Sequence, residues 1–131
     1  MTRSLVQSPI HLGRAGSAQS EPPFTGDMRW YADYGARHAG DGPEGRLVSE
    51  YLFAGNWTSW ERHPLGAEVV YCLSGTLILH QEEASGAITT TVLGPGDYAI
   101  NPPGVWHTAD VEGETRALFI TAGMGTENRP R

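Results

Sequence analysis

The sequence predicts an all-β fold, either a barrel or a sandwich. Its 131 residues include 17 Gly and 9 Pro, and only 18% of the residues are charged. This composition favours short strands joined by tight turns over long, charge-rich helices. Runs of β-branched and aromatic residues also recur between turn signals, with no sustained helical periodicity. The length fits one domain with one core, and we assign residues 1–131 to it.

The N-terminal third is predicted to add short strands to the body of the fold. Residues 1–26 are polar and punctuated by Gly and Pro, which predicts an arm that packs on the barrel. The aromatic-rich run Asp27–Tyr34 predicts an early strand. Residues 37–45 (RHAGDGPEG) are rich in breakers and predict a loop. We therefore expect no helix longer than one or two turns.

The barrel itself is predicted between residues 46 and 122, followed by an extended polar tail over residues 123–131. Its strands are predicted at 46–53, 57–63, 68–73, 77–80, 89–93, 98–100, 105–111 and 116–122. Ser74-Gly75 is a two-residue turn signal, so the strands on either side of it are predicted to pair as a hairpin.

Charge and cysteine content exclude several classes of protein. A formal net charge of −6 without a basic cluster argues against a nucleic-acid partner. The one cysteine, Cys72, has no partner for an internal disulfide and is predicted to be a small buried apolar group. No apolar run is long enough for a signal peptide or a membrane span, so we expect a cytoplasmic protein without a membrane partner.

Two short blocks carry candidate metal ligands, and they read GNWTSWERHPLGAE (55–68) and GPGDYAINPPGVWH (94–107). Alternate residues of a strand share a face, so Glu61 and His63 are expected to point the same way. A turn after His63 is expected to return Glu68 beside it on the adjacent strand. His107 follows a Pro-Pro-Gly turn and can complete a site for a divalent cation.

These blocks resemble the two motifs of the cupin superfamily. The first motif, G-x5-H-x-H-x(3,4)-E-x6-G, and the second, G-x5-P-x-G-x2-H-x3-N, are matched at Gly55, His63, Glu68, Gly75, Gly96, Pro102, Gly104 and His107. Two positions depart from the pattern: Glu61 replaces the first His, and Val111 replaces the final Asn. The resemblance covers residues 46–122 and implies a jelly-roll barrel, the cupin-type double-stranded β-helix.

The resemblance also implies a metal ion held by Glu61, His63, Glu68 and His107. Two carboxylates favour iron, manganese or zinc over copper, with nickel as a further candidate. Glu61 is open to two interpretations, a metal ligand or an acceptor beside the ligands. Two imidazoles with one carboxylate are similar to the facial triad of oxygen-activating iron sites. His11, His38 and His80 have no motif support and are predicted to be surface or strand-face residues.

The predicted function is that of a metal-dependent enzyme acting on a small oxygenated organic molecule, by dioxygenase or by isomerase or lyase chemistry. A non-catalytic binding or sensing module is the alternative. A metal-free epimerase is disfavoured, because it would need no ligand spacing. No acid–base residue outside the ligand set can be identified from the sequence. The resemblance further implies a small-molecule ligand and a homodimer.

Overall fold

The computed structural model describes residues 1–131 as antiparallel β structure with one α-helix. The strands are β1 (Ile10–Leu12), β2 (Ala18–Ser20), β3 (Arg46–Phe53), β4 (Ser59–Arg62), β5 (Glu68–Glu82), β6 (Ile88–Leu93), β7 (Tyr98–Asn101), β8 (His107–Thr121) and β9 (Glu127–Pro130). The helix α1 is Met28–Arg37, and short 3₁₀ helices lie at Arg14–Gly16 and Ala39–Glu44. No helix combines the length and the apolar character needed to cross a bilayer.

Two long strands organise the fold. β5 and β8 contain 15 residues each and pair with each other from Glu68 opposite Thr121 to Gln81 opposite His107. The free edge of β8 pairs with β3 and, at its beginning, with β4. The free edge of β5 pairs with β7 and then with β6. This arrangement confirms the predicted jelly-roll fold.

The chain termini extend these sheets. The N-terminal arm contributes β1 and β2, and β1 adds to the edge of β3. The C-terminal tail contributes β9, which pairs with β4. The core between the sheets comes mainly from β5 and β8, and Cys72 is fully buried in it as predicted.

The predicted hairpin at Ser74-Gly75 is wrong. β5 runs through these residues without turning, and its pairing with β8 shifts register on both sides of Ser74. Gly75 has φ +78°, a conformation that glycine adopts without steric cost and that a bulge needs. The turn signal therefore marks a bulge within one long strand. The two last predicted strands likewise merge into β8, with Gly113 at φ +69° between them.

The strand predicted over Asp27–Tyr34 is also wrong, because this segment forms α1, which is longer than the one or two turns expected. The Asp27 carboxylate accepts a hydrogen bond from the backbone N–H of Trp30 at 2.9 Å and so caps the helix. Trp30 and Tyr34 lie one turn apart on the same face, with their rings stacked at 5.7 Å. Packing of these aromatic side chains overrides their strand preference. The loop predicted over 37–45 contains the second 3₁₀ helix.

Candidate metal centre

The four predicted ligands converge at one place in the structure. Glu61, His63, Glu68 and His107 each offer an atom within 4.8 Å of the others' atoms. His63, Glu68 and His107 are buried, whereas the Glu61 side chain keeps 28% of its surface exposed. The structure thus brings together every residue that the sequence predicted for the site.

The route by which they meet differs from the prediction. β4 and β5 do not form a hairpin, because β4 pairs with β8 and β9 instead. Glu61 lies opposite His107 at the beginning of β8. Glu68 lies opposite Thr121 at the end of β8. The two ends of the β5–β8 ribbon therefore approach each other around the site.

The spacing of the side-chain atoms fits a small cation. The Nε2 atom of His63 lies 3.3 Å from Glu61 Oε1 and 3.1 Å from Glu68 Oε2. The Nε2 atom of His107 lies 3.3 Å from Glu61 Oε1 and 3.2 Å from Glu68 Oε1. Metal–ligand bonds of about 2.0–2.2 Å place neighbouring ligand atoms roughly 3.0–3.5 Å apart.

Hydrogen bonds on the far side of each imidazole orient Nε2 toward the centre. The Thr126 hydroxyl donates its proton to the Gly123 carbonyl, so it accepts from His63 Nδ1 at 2.8 Å. His107 Nδ1 donates to the Val105 carbonyl at 3.2 Å. With a proton on Nδ1, the neutral imidazole presents a lone pair at Nε2, as a metal ligand must.

One atom of the cluster remains without a hydrogen-bonding partner. His63 Nε2 is buried and forms no hydrogen bond, although two carboxylate oxygens lie 3.1 and 3.3 Å away. Buried polar atoms in native proteins almost always have a partner. An orphaned nitrogen that faces two carboxylates is the arrangement expected around a cation, and the residues present therefore fit a divalent metal.

The Glu68 carboxylate is fixed by two residues that the sequence analysis missed. Asn101 donates to Glu68 Oε1 at 3.0 Å, and the Thr121 hydroxyl donates to Oε2 at 2.6 Å. Gln81 donates to the Asn101 side-chain oxygen at 2.7 Å, which sets the orientation of the Asn101 amide. Asn101 on β7 and Thr121 on β8 lie directly opposite Glu68 in the paired strands. Strand pairing would have revealed them, but pairing was not readable from the motif.

The carboxylates and imidazoles of the cluster each shift the pKa of the other toward the charged form. Burial acts to lower the pKa of each imidazole, but Glu61 and Glu68 outweigh it and raise the pKa of His63 and His107 to about 9. Burial acts to raise the pKa of Glu61 and Glu68, but the two imidazoles outweigh it and lower both. Without metal, the cluster therefore takes up protons on its imidazoles, and a cation must displace them.

A cavity of about 760 Å³ adjoins the cluster. Glu61, His63 and Glu68 line it at the ligand end. The aromatic residues in its wall are Tyr31, Tyr34, Tyr51, Phe53, Trp57 and Phe119. The buried indole N–H of Trp57 has no hydrogen-bond acceptor there. An aromatic wall beside a few polar groups is typical of a small-molecule site.

The remaining histidines follow the prediction only in part. His80 lies on a strand and contacts Thr90 and Asp110, in agreement with a strand-face residue. His11 lies on the strand β1, in agreement with a strand-face residue, but it is not at the surface, because it is only 3% exposed. Its ring stacks on that of His38 at 3.6 Å, because β1 and the end of α1 meet there.

Comparison with known proteins identifies the family. The family described as "Cupin domain" matches residues 51–123, which is more than half of the chain. The chain belongs to the cupin family. No curated protein sequence matches it.

Solved structures share the fold at low sequence identity. A cupin-2 domain protein from Shewanella frigidimarina is 21% identical, with a TM-score of 0.49, and the match covers 66% of this chain and 71% of that one. An oxalate oxidase is 17% identical, with a TM-score of 0.55, over 62% of this chain and 44% of its own. Peruvianin-I, described as a cysteine peptidase from Thevetia peruviana latex, is 19% identical, with a TM-score of 0.54, over 66% and 55% of the two chains. This chain thus spans less than half of the oxalate oxidase, and the likenesses to the oxalate oxidase and to peruvianin-I establish the fold alone.

Proposed function

We propose that this cupin binds one divalent metal ion through Glu61, His63, Glu68 and His107 and uses it to act on a small oxygenated organic molecule. The observation that carries the proposal is the buried His63 Nε2 atom, which has no hydrogen-bond partner and faces two carboxylates. Two imidazoles and two carboxylates suit iron, manganese or zinc, and nickel is also compatible with imidazole.

The metal would supply Lewis acidity toward a substrate oxygen and, in the case of iron, redox chemistry as well. The protein side chains divide the remaining work. Glu68 is held by Asn101 and Thr121, so it serves as a rigid ligand. Glu61 hydrogen-bonds only to His107 and is the most exposed of the four. Glu61 is therefore the ligand best able to move aside or to accept a substrate proton.

The cavity wall would bind the rest of the substrate. Phe53, Trp57 and Phe119 form a continuous aromatic surface, in which the ring centroids lie 5.8 to 6.1 Å apart. When the apolar part of a substrate packs against these rings, it would exclude water from the part of the cavity lined by Glu61, His63 and Glu68. The Trp57 indole N–H offers a hydrogen bond to a substrate oxygen.

The reaction class is tested by loading the purified protein separately with Fe²⁺, Mn²⁺ and Zn²⁺. Each form is incubated with diketones, hydroxylated aromatic ketones and sugar phosphates while oxygen uptake and product formation are followed. Oxygen uptake with iron alone supports a dioxygenase, and turnover without oxygen supports an isomerase or lyase. If a compound binds tightly and no form converts it, a binding or sensing module replaces the enzyme. Failure of all three metals to bind would contradict the proposal.

We also propose that two copies associate through the outer face of the sheet containing β1, β3, β8, β5 and β7. One apolar row crosses all five strands in register, and its members are Ile10, Val48, Ile120, Val69 and Ile100. Ile100 is 51% exposed and the adjacent Tyr98 is 65% exposed. Each chain carries a net charge of −6, so two copies would meet with least repulsion where their contact is made by an apolar row.

Ile100→Glu is expected to convert the dimer to a monomer, because it places a charge in the apolar row. Sedimentation velocity measures the change. Ile88→Glu is the matched control, since Ile88 is 49% exposed on β6 and lies outside the row. A wild-type protein that sediments as a monomer at all concentrations would reject this interface.

A further inference from the structure

A second polar cluster lines the same cavity, and it comes entirely from the N-terminal region outside the family match. His11 lies on β1, Tyr34 on α1 and Asp41 in the 3₁₀ helix Ala39–Glu44. His11 and Tyr34 contribute to the wall of the cavity that Glu61 and His63 line at the proposed metal centre. The N-terminal region thus adds chemistry to the cavity as well as strands to the sheet.

The cluster is a chain of short hydrogen bonds. His11 Nε2 lies 2.6 Å from Asp41 Oδ2, and His11 Nδ1 lies 2.6 Å from the Tyr34 hydroxyl. The hydrogen bond from His11 is the main reason why the pKa of Asp41 is lowered, so Asp41 is a carboxylate. A carboxylate only accepts, so Nε2 carries the proton. In neutral His11 the Nδ1 atom therefore accepts the proton of Tyr34.

These distances distinguish the cluster from a second metal site. At the Glu61–His107 cluster the nitrogen–oxygen separations are 3.1 to 3.3 Å, which leaves room for a cation. Separations of 2.6 Å leave room only for a proton, and both nitrogens of His11 are already engaged. The Nε2 atom of His38 is likewise occupied, because it donates to the buried Glu21 carboxylate at 2.9 Å.

Two glycines make room for the His11–Asp41 pair. A Cβ atom on Gly13 would lie 2.7 Å from Asp41 Oδ2, and a Cβ atom on Gly45 would lie 3.0 Å from His11 Cε1. The stacked ring of His38 closes the remaining side of the His11 imidazole. The orientation of His11 is therefore fixed by its surroundings, as a proton-transfer group requires.

We propose that Tyr34 is a catalytic residue that accepts a hydroxyl proton from a substrate held in the cavity, with His11 and Asp41 as its positioning residues. The proposal rests on the metal-dependent function proposed above. Tyr34 directs its own proton to His11, which leaves the lone pairs of its oxygen free to receive a hydrogen bond. A substrate hydroxyl is the group that can supply one.

The proton transfer balances without any further reactant. As the substrate O–H bond breaks, its proton moves to the Tyr34 oxygen while the Tyr34 proton moves to His11 Nδ1. The products are a substrate alkoxide or phenolate and an imidazolium paired with the Asp41 carboxylate. Burial, followed by the carboxylates of Glu21 and Asp41, raises the pKa of Tyr34, so the phenol passes a proton on and does not ionise by itself.

The walls between the two clusters narrow the class of substrate. Tyr31 on α1 and Tyr51 on β3 hydrogen-bond to each other, and Tyr51 stacks on Phe53 at 5.8 Å. Planar aromatic surfaces such as these pack best against an aromatic ring. The combination of aromatic walls, a hydroxyl acceptor and a metal centre points to a hydroxylated aromatic compound that carries a second oxygen.

The test measures binding, so it does not depend on turnover. The dissociation constants of 4-hydroxyacetophenone and acetophenone are determined by isothermal titration calorimetry with the zinc-loaded protein. The hydroxylated probe is expected to bind about tenfold more tightly, as one hydrogen bond to Tyr34 allows. Tyr34→Phe is expected to remove this preference while leaving the affinity for acetophenone within about twofold. Equal weakening of both probes, or no binding of either to the wild type, overturns the proposal.

Two further measurements test the proton relay from Tyr34 to His11. The first distinguishes it from a structural role of these residues, and the second distinguishes it from the proposed metal binding. Nitrogen-15 NMR of the ligand-free protein is expected to show a proton on His11 Nε2 and none on Nδ1, and a proton on Nδ1 overturns the relay. Repeating the titrations on metal-free protein isolates the proposed function. If zinc fails to bind but the hydroxyl preference persists, the metal proposal fails and the Tyr34 contact stands. If zinc binds and the preference is absent, the Tyr34 contact fails alone.

Discussion

His107→Ala is expected to weaken zinc binding by more than about 100-fold. The imidazole is fully buried and supplies a nitrogen that faces both Glu61 and Glu68, and no neighbouring side chain can replace it. Loss of a residue that only supports a ligand already costs about 10- to 100-fold, so the loss of a ligand costs more. Competition with a chromophoric chelator at neutral pH measures the change.

His80→Ala is the matched control for this prediction. His80 is also a strand histidine paired with a carboxylate, Asp110, but it lies outside the cluster. Its replacement is expected to leave zinc affinity unchanged. Zinc affinity in the His107 variant equal to that of the wild type would remove His107 from the ligand set and the proposed centre with it.

Gly75→Ala is expected to lower the free energy of unfolding by about 3 kcal/mol or more. At φ +78° a Cβ atom is strained, and here it would also lie 2.4 Å from the Glu114 carbonyl oxygen and 2.8 Å from the Thr115 Cα atom. Those atoms belong to the backbone of β8 and cannot move aside without breaking the ladder to β5. Urea denaturation followed by tryptophan fluorescence measures the loss.

Gly113→Ala separates the two causes of this loss. Gly113 has a similar φ of +69°, but a Cβ atom there would meet no atom within 4 Å. Backbone strain alone is expected to cost about 1 kcal/mol. Equal destabilisation of the two variants would show that the close approach at the β5 bulge contributes nothing.

The strands that the sequence predicted well are those whose limits are encoded locally. The prediction for residues 46–53 coincides with β3, because Gly45 precedes that strand and Ala54-Gly55 follows it. The four candidate ligands were also readable from the motif spacing, and the structure brings them together, although not through the hairpin that was predicted. Ser74-Gly75 misled because a glycine with positive φ serves a turn and a bulge equally well. Only pairing with β8 on both sides distinguishes them, and that pairing is a long-range property.

The N-terminal cluster shows why other features were not readable. His11, Tyr34 and Asp41 are contributed by three separate local elements, and no spacing between them repeats a motif. Helix α1 did leave a signal, which was Asp27 at the capping position with Trp30 and Tyr34 one turn apart. The strand preference of the aromatic residues obscured that signal.

The wrapping of the β5–β8 ribbon has a consequence for how the protein would respond to its metal. Fifteen residues of extended strand span about 45–50 Å. Glu68 nevertheless contacts both His107 and Thr121, the first and last residues of β8. An ion at this point would join the two ends of the paired strands β5 and β8. Because only the folded barrel presents all four candidate ligands together, metal binding would add to the free energy of unfolding of the whole barrel.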